Sequence, residues 1–161
     1  MDRQHGGYSE KVRTRGARDP EALAGRDLEK SAAFYRDVIG LKEVARGQFT
    51  ARMVFFSATG ENHHDLALAE VGADAPGAPA NAVGLYHIAL KIGDSLDELR
   101  AARAHLESRG ITKVRLVDHR VSQSIYLNDP DGHGIELYVD ADPAIWHGDP
   151  ASVANAAPLA L

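Results

Sequence analysis

The sequence predicts an α+β fold in which two βαβββ modules enclose a ligand cavity between their curved sheets. Two capped amphipathic helices are each followed by three short β-rich runs. Gly40 and Gly110, which end the two helices, are 70 residues apart, and so are His63 and His133. Because each helix covers only one face of its sheet, the other face must also be buried, and two such sheets facing each other would leave a cavity.

The two helices are predicted from the residues at their ends. Asp27 is a favourable N-cap for the first helix, and Gly40 ends it. Ser95 and Glu98 form a capping box at the start of the second helix, which Gly110 ends. Between these residues the apolar side chains recur at helical spacing, so each helix is predicted to pack one face on a sheet.

Short runs rich in β-branched, aromatic and aliphatic residues surround the helices. Three runs follow the first helix, one precedes the second helix, and three follow it. Asp-Pro-Asp-Gly at 129–132 predicts a turn between the last two runs, since Pro suits its second position and Gly its fourth. The predicted strands are 41–46, 51–57, 64–70, 85–92, 112–118, 121–128 and 134–139.

The elements and the breaks between them divide the chain into regions. Two Pro-containing stretches without periodicity are read as a linker and a tail. The predicted regions are a flexible N-terminal arm at 1–18, one domain at 19–140 and an Ala- and Pro-rich tail at 141–161. Within the domain, the first module spans 19–70, the linker spans 71–83 and the second module spans 84–140.

Composition narrows the classes of function. The 161 residues carry a net charge of −5, which disfavours nucleic acid and anionic membranes as partners. The chain has no cysteine, so only His, Asp and Glu side chains remain as metal ligands. It also shows no signal peptide and no long apolar run, and we therefore expect a cytoplasmic protein that acts on a small molecule.

His87 and Glu136 are the first candidates for chemistry. Each lies in a predicted strand, and alternation places each opposite the apolar side chains of its strand. If the apolar faces meet the helices, the two polar side chains share the cavity wall. The alternative is that each is an ordinary polar residue on a solvated strand face.

His63, His64 and Tyr126 are less certain candidates. The two histidines are adjacent, so in a strand at most one of them can face the cavity. Alternation with Leu66 and Leu68 favours His63, unless the strand begins after the pair. Tyr126 lies between apolar residues, as a core tyrosine or as a hydroxyl in the cavity.

Three segments resemble the vicinal oxygen chelate superfamily, which includes glyoxalase I, extradiol dioxygenases and the bleomycin and fosfomycin resistance proteins. They are DLEKSAAFYRDVIGL at 27–41, the run containing His87, and YLNDPDGHGIEL at 126–137. The resemblance covers about residues 20–140 and implies paired βαβββ modules with a metal in the cavity between their sheets. It implies that His87 and Glu136 are metal ligands and that the protein is a homodimer.

Within that superfamily, two further features resemble the extradiol dioxygenases. The sequence ENHHDLAL at 61–68 is similar to their double-histidine strand and implies that His64 is the acid–base residue. Tyr126 matches their tyrosine near the substrate oxygen. Their third metal ligand is a first-strand histidine, for which this chain has Pro20, so Asp19 and Glu21 are the candidate replacements.

The leading hypothesis is an extradiol dioxygenase-like oxidoreductase that uses Fe(II) or Mn(II). Its substrate would be a small vicinal aromatic diol or a related oxygen chelator. Two histidines and one carboxylate leave neighbouring positions on Fe(II) open for substrate and O2. The alternatives are a metal-free protein that sequesters an aromatic metabolite or antibiotic, and a glyoxalase-like isomerase.

Overall fold

The computed structural model describes residues 21–79 and 81–161, and it confirms the α+β fold with two βαβββ modules. Each module places one helix against its own sheet. The strands of the first module are β1 (Glu21–Gly25), β2 (Lys42–Gln48), β3 (Arg52–Ser57) and β4 (Leu66–Glu70), and those of the second are β5 (Ile88–Gly93), β6 (Arg115–Asp118), β7 (Ser122–Asn128) and β8 (Gly134–Asp140).

The two sheets repeat one topology. The first sheet has the order β1-β4-β3-β2, and the second has β5-β8-β7-β6 with a short ninth strand, β9 (Ala157–Pro158), at its edge. In each module the first and last strands pair in parallel, whereas their neighbours pair antiparallel. The first and last strands of each module therefore lie side by side, although a helix and two strands separate them along the chain.

Both helices begin and end at the residues that the sequence predicts. The first helix, α1 (Leu28–Ala33), is capped by Asp27 and continues as a π-helical segment, Phe34–Ile39. The second, α2 (Leu96–Ser108), is capped by Ser95, whose hydroxyl oxygen accepts a hydrogen bond from the backbone N–H of Glu98. Gly40 and Gly110 follow the helices with positive φ, the conformation that glycine adopts at least cost.

Three strands, β4, β5 and β6, begin two or more residues later than the sequence predicts, and for β4 and β6 a side chain or a local turn engages the preceding backbone. Strand β4 begins at Leu66, not at residue 64. Just before it, the Asp65 carboxylate accepts hydrogen bonds from the Ala58 backbone N–H and the Asn62 amide. Strand β6 begins at Arg115 after a tight backbone turn, and β5 begins at Ile88.

The core lies between each helix and the inner face of its sheet. Ile88, Leu90 and Ile92 of β5 are all buried, which confirms the predicted alternation along this strand. The helical regions also meet, since the His105 imidazole lies 3.1 Å from the Val38 carbonyl oxygen. The largest fully buried side chains are Tyr35, Phe56, Ile39, Leu41, Leu68, Ile92, Leu99, Leu106, Ile125, Ile135 and Leu137.

The predicted turn between β7 and β8 docks on the first module. The Asp131 carboxylate accepts hydrogen bonds from the Arg26 backbone N–H and the Ser31 hydroxyl, and it pairs with the Arg26 guanidinium. The buried Tyr35 hydroxyl donates to Asp129 at 3.0 Å. Burial and the neighbouring Asp129 raise the pKa of Tyr35 well above its usual range, so the hydroxyl keeps its proton.

Residues 141–161 form α3 (Ala144–Gly148), a 3₁₀ turn (Pro150–Ala154) and β9, which pairs with β6. Leu159 and Leu161 pack on the hydrophobic core. This segment therefore extends the second sheet at the edge away from β5. Within 21–79 and 81–161, no helix has the length and apolar character needed to span a membrane.

Candidate metal centre

His87 and Glu136 come together on one face of the second sheet. His87 directly precedes β5, Glu136 lies in β8, and the parallel pairing of these strands sets Ala89 beside Glu136. The His87 Nε2 atom is 3.0 Å from the Glu136 Oε2 atom. The carboxylate is buried, with 8% of the residue exposed, while the imidazole remains partly accessible.

The second oxygen of Glu136 is held by two hydroxyl groups. Ser124 and Tyr126 of β7 donate hydrogen bonds to Oε1 at 2.6 and 2.7 Å. Because β7 is the antiparallel neighbour of β8, these side chains lie on the same sheet face as the carboxylate. The carboxylate therefore has a fixed orientation, with Oε1 engaged by hydroxyls and Oε2 turned toward the imidazole.

Tyr126 is a neutral hydrogen-bonding group in this site. Burial and the neighbouring Glu136 raise its pKa to about 12, and the positive charge of Arg115 acts in the opposite direction. The Arg115 guanidinium lies over the Tyr126 ring, 4.4 Å from its centre, and the His87 ring meets the same tyrosine edge to face. Tyr126 is thus a cavity hydroxyl and not a core tyrosine.

Sequence reasoning missed His119, which lies between β6 and β7. Its Nε2 atom is 2.9 Å from the Tyr126 hydroxyl, and its Nδ1 atom is 2.6 Å from the Asn155 carbonyl oxygen. Since a carbonyl only accepts, Nδ1 carries a proton toward the C-terminal segment. The sequence offered one signal for this contact. The connection between β6 and β7 is short, so His119 at its start stays close to the strands on either side.

His64 lies apart from this cluster. It precedes β4, with its Nδ1 atom 2.7 Å from that of His63 and its ring 5.0 Å from that of Phe55. Within the part of the chain that the structure describes, no hydrogen bond or ring contact joins His64 to His87, Tyr126 or Glu136. The strand begins after the histidine pair, so alternation along β4 does not decide between the two histidines.

The third predicted metal ligand cannot be assigned to a described side chain. Asp19 and Pro20 lie outside the described residues, and so does the side chain of Glu21. Among residues 21–79 and 81–161, no cluster of three or more potential metal ligands occurs. His87 and Glu136 nevertheless fit a divalent ion, because imidazole nitrogen and carboxylate oxygen are suitable donors and hydroxyl groups orient the carboxylate.

A groove of about 410 Å³ opens beside His87. It lies over the ends of β5 and β8 and reaches the segment before β6. Its volume is within the range of sites for small molecules. The residues that line it are Tyr86, His87, Lys113, Val114, Arg115, Tyr126, Leu127, Asn128, Gly134 and Ile135.

Comparison with known proteins identifies the family. A sequence profile of the Glyoxalase/Bleomycin resistance protein/Dioxygenase superfamily matches residues 19–137. The chain belongs to this superfamily. Within it, Catechol-2,3-dioxygenase of Bacillus subtilis (strain 168) is 37% identical over 128 residues, which are 79% of this chain and 42% of that enzyme. The chain therefore matches less than half the length of this superfamily member.

Other proteins similar to this chain carry different names. Metallothiol transferase FosB of Lysinibacillus sphaericus (strain C3-41) is 37% identical over 114 residues, covering 70% of this chain and 74% of the transferase. The crystal structure of a glyoxylase/bleomycin resistance protein/dioxygenase domain from Frankia sp. EAN1pec has a TM-score of 0.65 at 17% identity, with 84% of this chain and 99% of that domain covered. This likeness shows the shared fold.

Proposed function

We propose that this protein is a metal-dependent oxidoreductase of the extradiol dioxygenase type, acting on a small aromatic vicinal diol. The observation that carries the proposal is the pair of His87 and Glu136, whose nitrogen and oxygen atoms lie 3.0 Å apart beside an open groove. Similarity to a protein named for catechol dioxygenation supports the reaction class. Tyr126 in the same site supports chemistry over simple sequestration of a ligand.

His87 and Glu136 would hold a divalent ion, Fe(II) or Mn(II). When bound, such an ion supplies Lewis acidity and positions at which two substrate oxygens and O2 can meet. Ser124 and Tyr126 keep the Glu136 carboxylate in place through Oε1. Asp19 or Glu21 remains the proposed source of a third ligand.

Tyr126 would orient the substrate by hydrogen bonding. Its raised pKa keeps the hydroxyl protonated at neutral pH, so it can donate to a substrate oxygen. In the structure this hydroxyl lies between Glu136 and His119, at 2.7 and 2.9 Å. Because the hydroxyl has a single proton, donation to the substrate would replace donation to Glu136, whose Oε1 atom would keep its hydrogen bond from Ser124.

His64 remains the proposed proton acceptor, on the basis of the double-histidine sequence. A histidine is suited to this role because its ordinary pKa is close to neutrality. We expect His64→Phe to lower turnover about a hundredfold while metal content stays unchanged. If this variant keeps full turnover and His119→Ala does not, the proton is transferred through His119 and the assignment of His64 is wrong.

Metal analysis tests the proposal directly. Untagged protein is purified anaerobically without chelator, and its metal content is measured by plasma mass spectrometry. We expect near-stoichiometric iron or manganese, and oxygen uptake on addition of catechol. His87→Ala and Glu136→Gln should each lose most of the metal, because each removes one of the two proposed ligands.

Two matched variants control for general effects on stability. His147→Ala removes an exposed histidine of α3, and Glu107→Gln neutralises an exposed carboxylate of α2 that pairs with Arg103. Both should retain metal and oxygen uptake. Unchanged metal content in the His87 and Glu136 variants would contradict the site. Protein that stays metal-free after soaking in Fe(II), Mn(II) or Zn(II) would favour a sequestering protein, and bound metal without oxygen uptake would favour an isomerase or a transferase.

A further inference from the structure

The groove beside His87 differs in charge from the rest of the molecule. The chain as a whole carries a net charge of −5. Among the residues that the structure describes, those lining the groove nevertheless include two cations, Lys113 and Arg115, and no Asp or Glu. A wall with this composition attracts anions, and it does so most strongly at low ionic strength.

Arg115 has no carboxylate partner among the described residues. Its guanidinium is held instead over the Tyr126 ring, which leaves its N–H donors available to a ligand. Seven of the other arginines in 21–79 and 81–161 are paired with an acidic side chain, whereas Arg109 of the α2 C-terminus is not. The arginines paired in this way are Arg26, Arg36, Arg46, Arg52, Arg100, Arg103 and Arg120.

Lys113 adds a second available charge two residues earlier in the chain. It is exposed in the segment between α2 and β6, it lines the same groove, and no described acidic side chain pairs with it. The contact between Arg115 and Tyr126 links this cationic wall to the metal centre, because the Tyr126 hydroxyl donates to Glu136. The two cations and His87 therefore line the same groove, which is large enough for one small ligand.

We infer that the substrate is a vicinal aromatic diol whose ring carries an anionic substituent, a carboxylate in the simplest case. Arg115 binds this substituent through the planar fork of its guanidinium, and Lys113 adds a second positive charge. The diol end of the same molecule faces His87 and Glu136. The identification of the ligand as a diol rests on the proposed function, whereas the preference for an anion rests on the groove alone.

Paired ligands that differ only in charge test the inference. Protocatechuate and pyrocatechuate are each compared with the corresponding neutral amide, by anaerobic titration calorimetry on the protein as purified and by oxygen uptake in air. We expect at least one carboxylate to bind about tenfold more tightly than its amide at low salt, with the difference shrinking as salt is added.

Variants of the two cations locate the effect. Lys113→Gln should weaken binding of the carboxylate severalfold and leave binding of the amide unchanged. Arg115→Gln should weaken binding of the carboxylate more than binding of the amide, since Arg115 also packs on Tyr126. Lys113→Glu, at an exposed position, should reverse the preference in favour of the cationic analogue dihydroxybenzylamine. Lys30→Gln removes an exposed lysine of α1 and should change neither affinity.

The outcomes separate this inference from the proposed function. A preference for the carboxylate without oxygen uptake supports the anionic ligand and contradicts the dioxygenase. Oxygen uptake with equal binding of each acid and its amide supports the dioxygenase and overturns the anionic substrate. Absence of binding by all four compounds also overturns it, as does a full preference in the double variant Arg115→Gln/Lys113→Gln.

Discussion

Gly134 is a residue at which backbone packing limits the geometry of the candidate metal centre. It begins β8, two residues before Glu136, and a Cβ atom placed on it would lie 2.9 Å from the Tyr86 carbonyl oxygen and 3.1 Å from the His87 Cβ atom. The first distance is shorter than a van der Waals contact, and it involves backbone that cannot simply rotate away. The missing side chain thus lets His87 approach β8 closely enough to meet Glu136.

We predict that Gly134→Ala weakens metal binding about tenfold by displacing His87, and that it also lowers stability because the new Cβ atom meets backbone. Titration with Mn(II) measures the affinity, and thermal unfolding measures stability. Gly148→Ala is the matched control, since a Cβ atom there meets nothing within 4 Å. Equal Mn(II) affinity in the two variants would show that His87 tolerates the shift.

Tyr126 gives a prediction about pH. Its pKa is raised to about 12 in the folded protein, against about 10 in an unfolded chain, so the folded state holds the proton more tightly. The resulting stabilisation is complete below about pH 10 and is lost as the pH rises toward 12. We expect Tyr126→Phe to lose less stability across this interval than the parent protein does, as measured by urea unfolding at several pH values. An identical loss would assign the effect to other groups.

The proximity of His87 and Glu136 could be predicted from sequence, but the network around the pair could not. His87 and Glu136 follow from alternation in two strands that the fold pairs. His119 bonds Tyr126 and the Asn155 carbonyl, a contact that depends on where the C-terminal segment docks. The position of this segment cannot be predicted from hydrophobic periodicity, because β9 has only two residues.

At the scale of elements, the turn between β7 and β8 joins the two modules. Asp131 accepts from the Arg26 backbone and from Ser31 in the first module, and its side chain is 9% exposed. The sequence predicts this turn from its Pro and Gly. The partner surface on the first module is a tertiary contact over about a hundred residues, which local chemistry does not encode.

Asp131→Asn should lower the free energy of unfolding by about 1–3 kcal/mol, because the neutral amide loses the ion pair with Arg26 and presents N–H groups to other donors. Urea unfolding monitored by circular dichroism measures the change. Asp97→Asn, on the exposed surface of α2, should cost less than about 0.5 kcal/mol. Similar losses in the two variants would show that the turn contributes nothing special to the junction of the modules.

Helix positions followed from their capping residues, whereas strand starts did not. Asp27 and Ser95 accept the hydrogen bonds expected of N-caps. The start of β4 was predicted two residues early, since Asp65 binds the Ala58 backbone with its side chain. This hydrogen bond depends on the position of the loop that contains Ala58. The β-propensity of residues 64–70 therefore does not predict where the strand begins.

At the scale of the whole molecule, several large apolar side chains remain at the surface. Phe49, Val83, Leu85 and Tyr86 are each more than half exposed. Homodimerisation, which the resemblance implies, would cover such residues. We predict a mass near twice 17.3 kDa by light scattering in solution, and a mass of one chain at high protein concentration would exclude the dimer.

The parallel pairing of first and last strands has a consequence for folding. Neither sheet can form from consecutive strands alone. Strand β1 pairs with β4, and β5 pairs with β8, so each sheet is complete only after its last strand has joined. Each closure costs loop entropy before it gains contacts, which slows folding relative to a chain of simple hairpins. Since β4 ends at Glu70, the first module can close its sheet during synthesis, while the second module is still emerging from the ribosome.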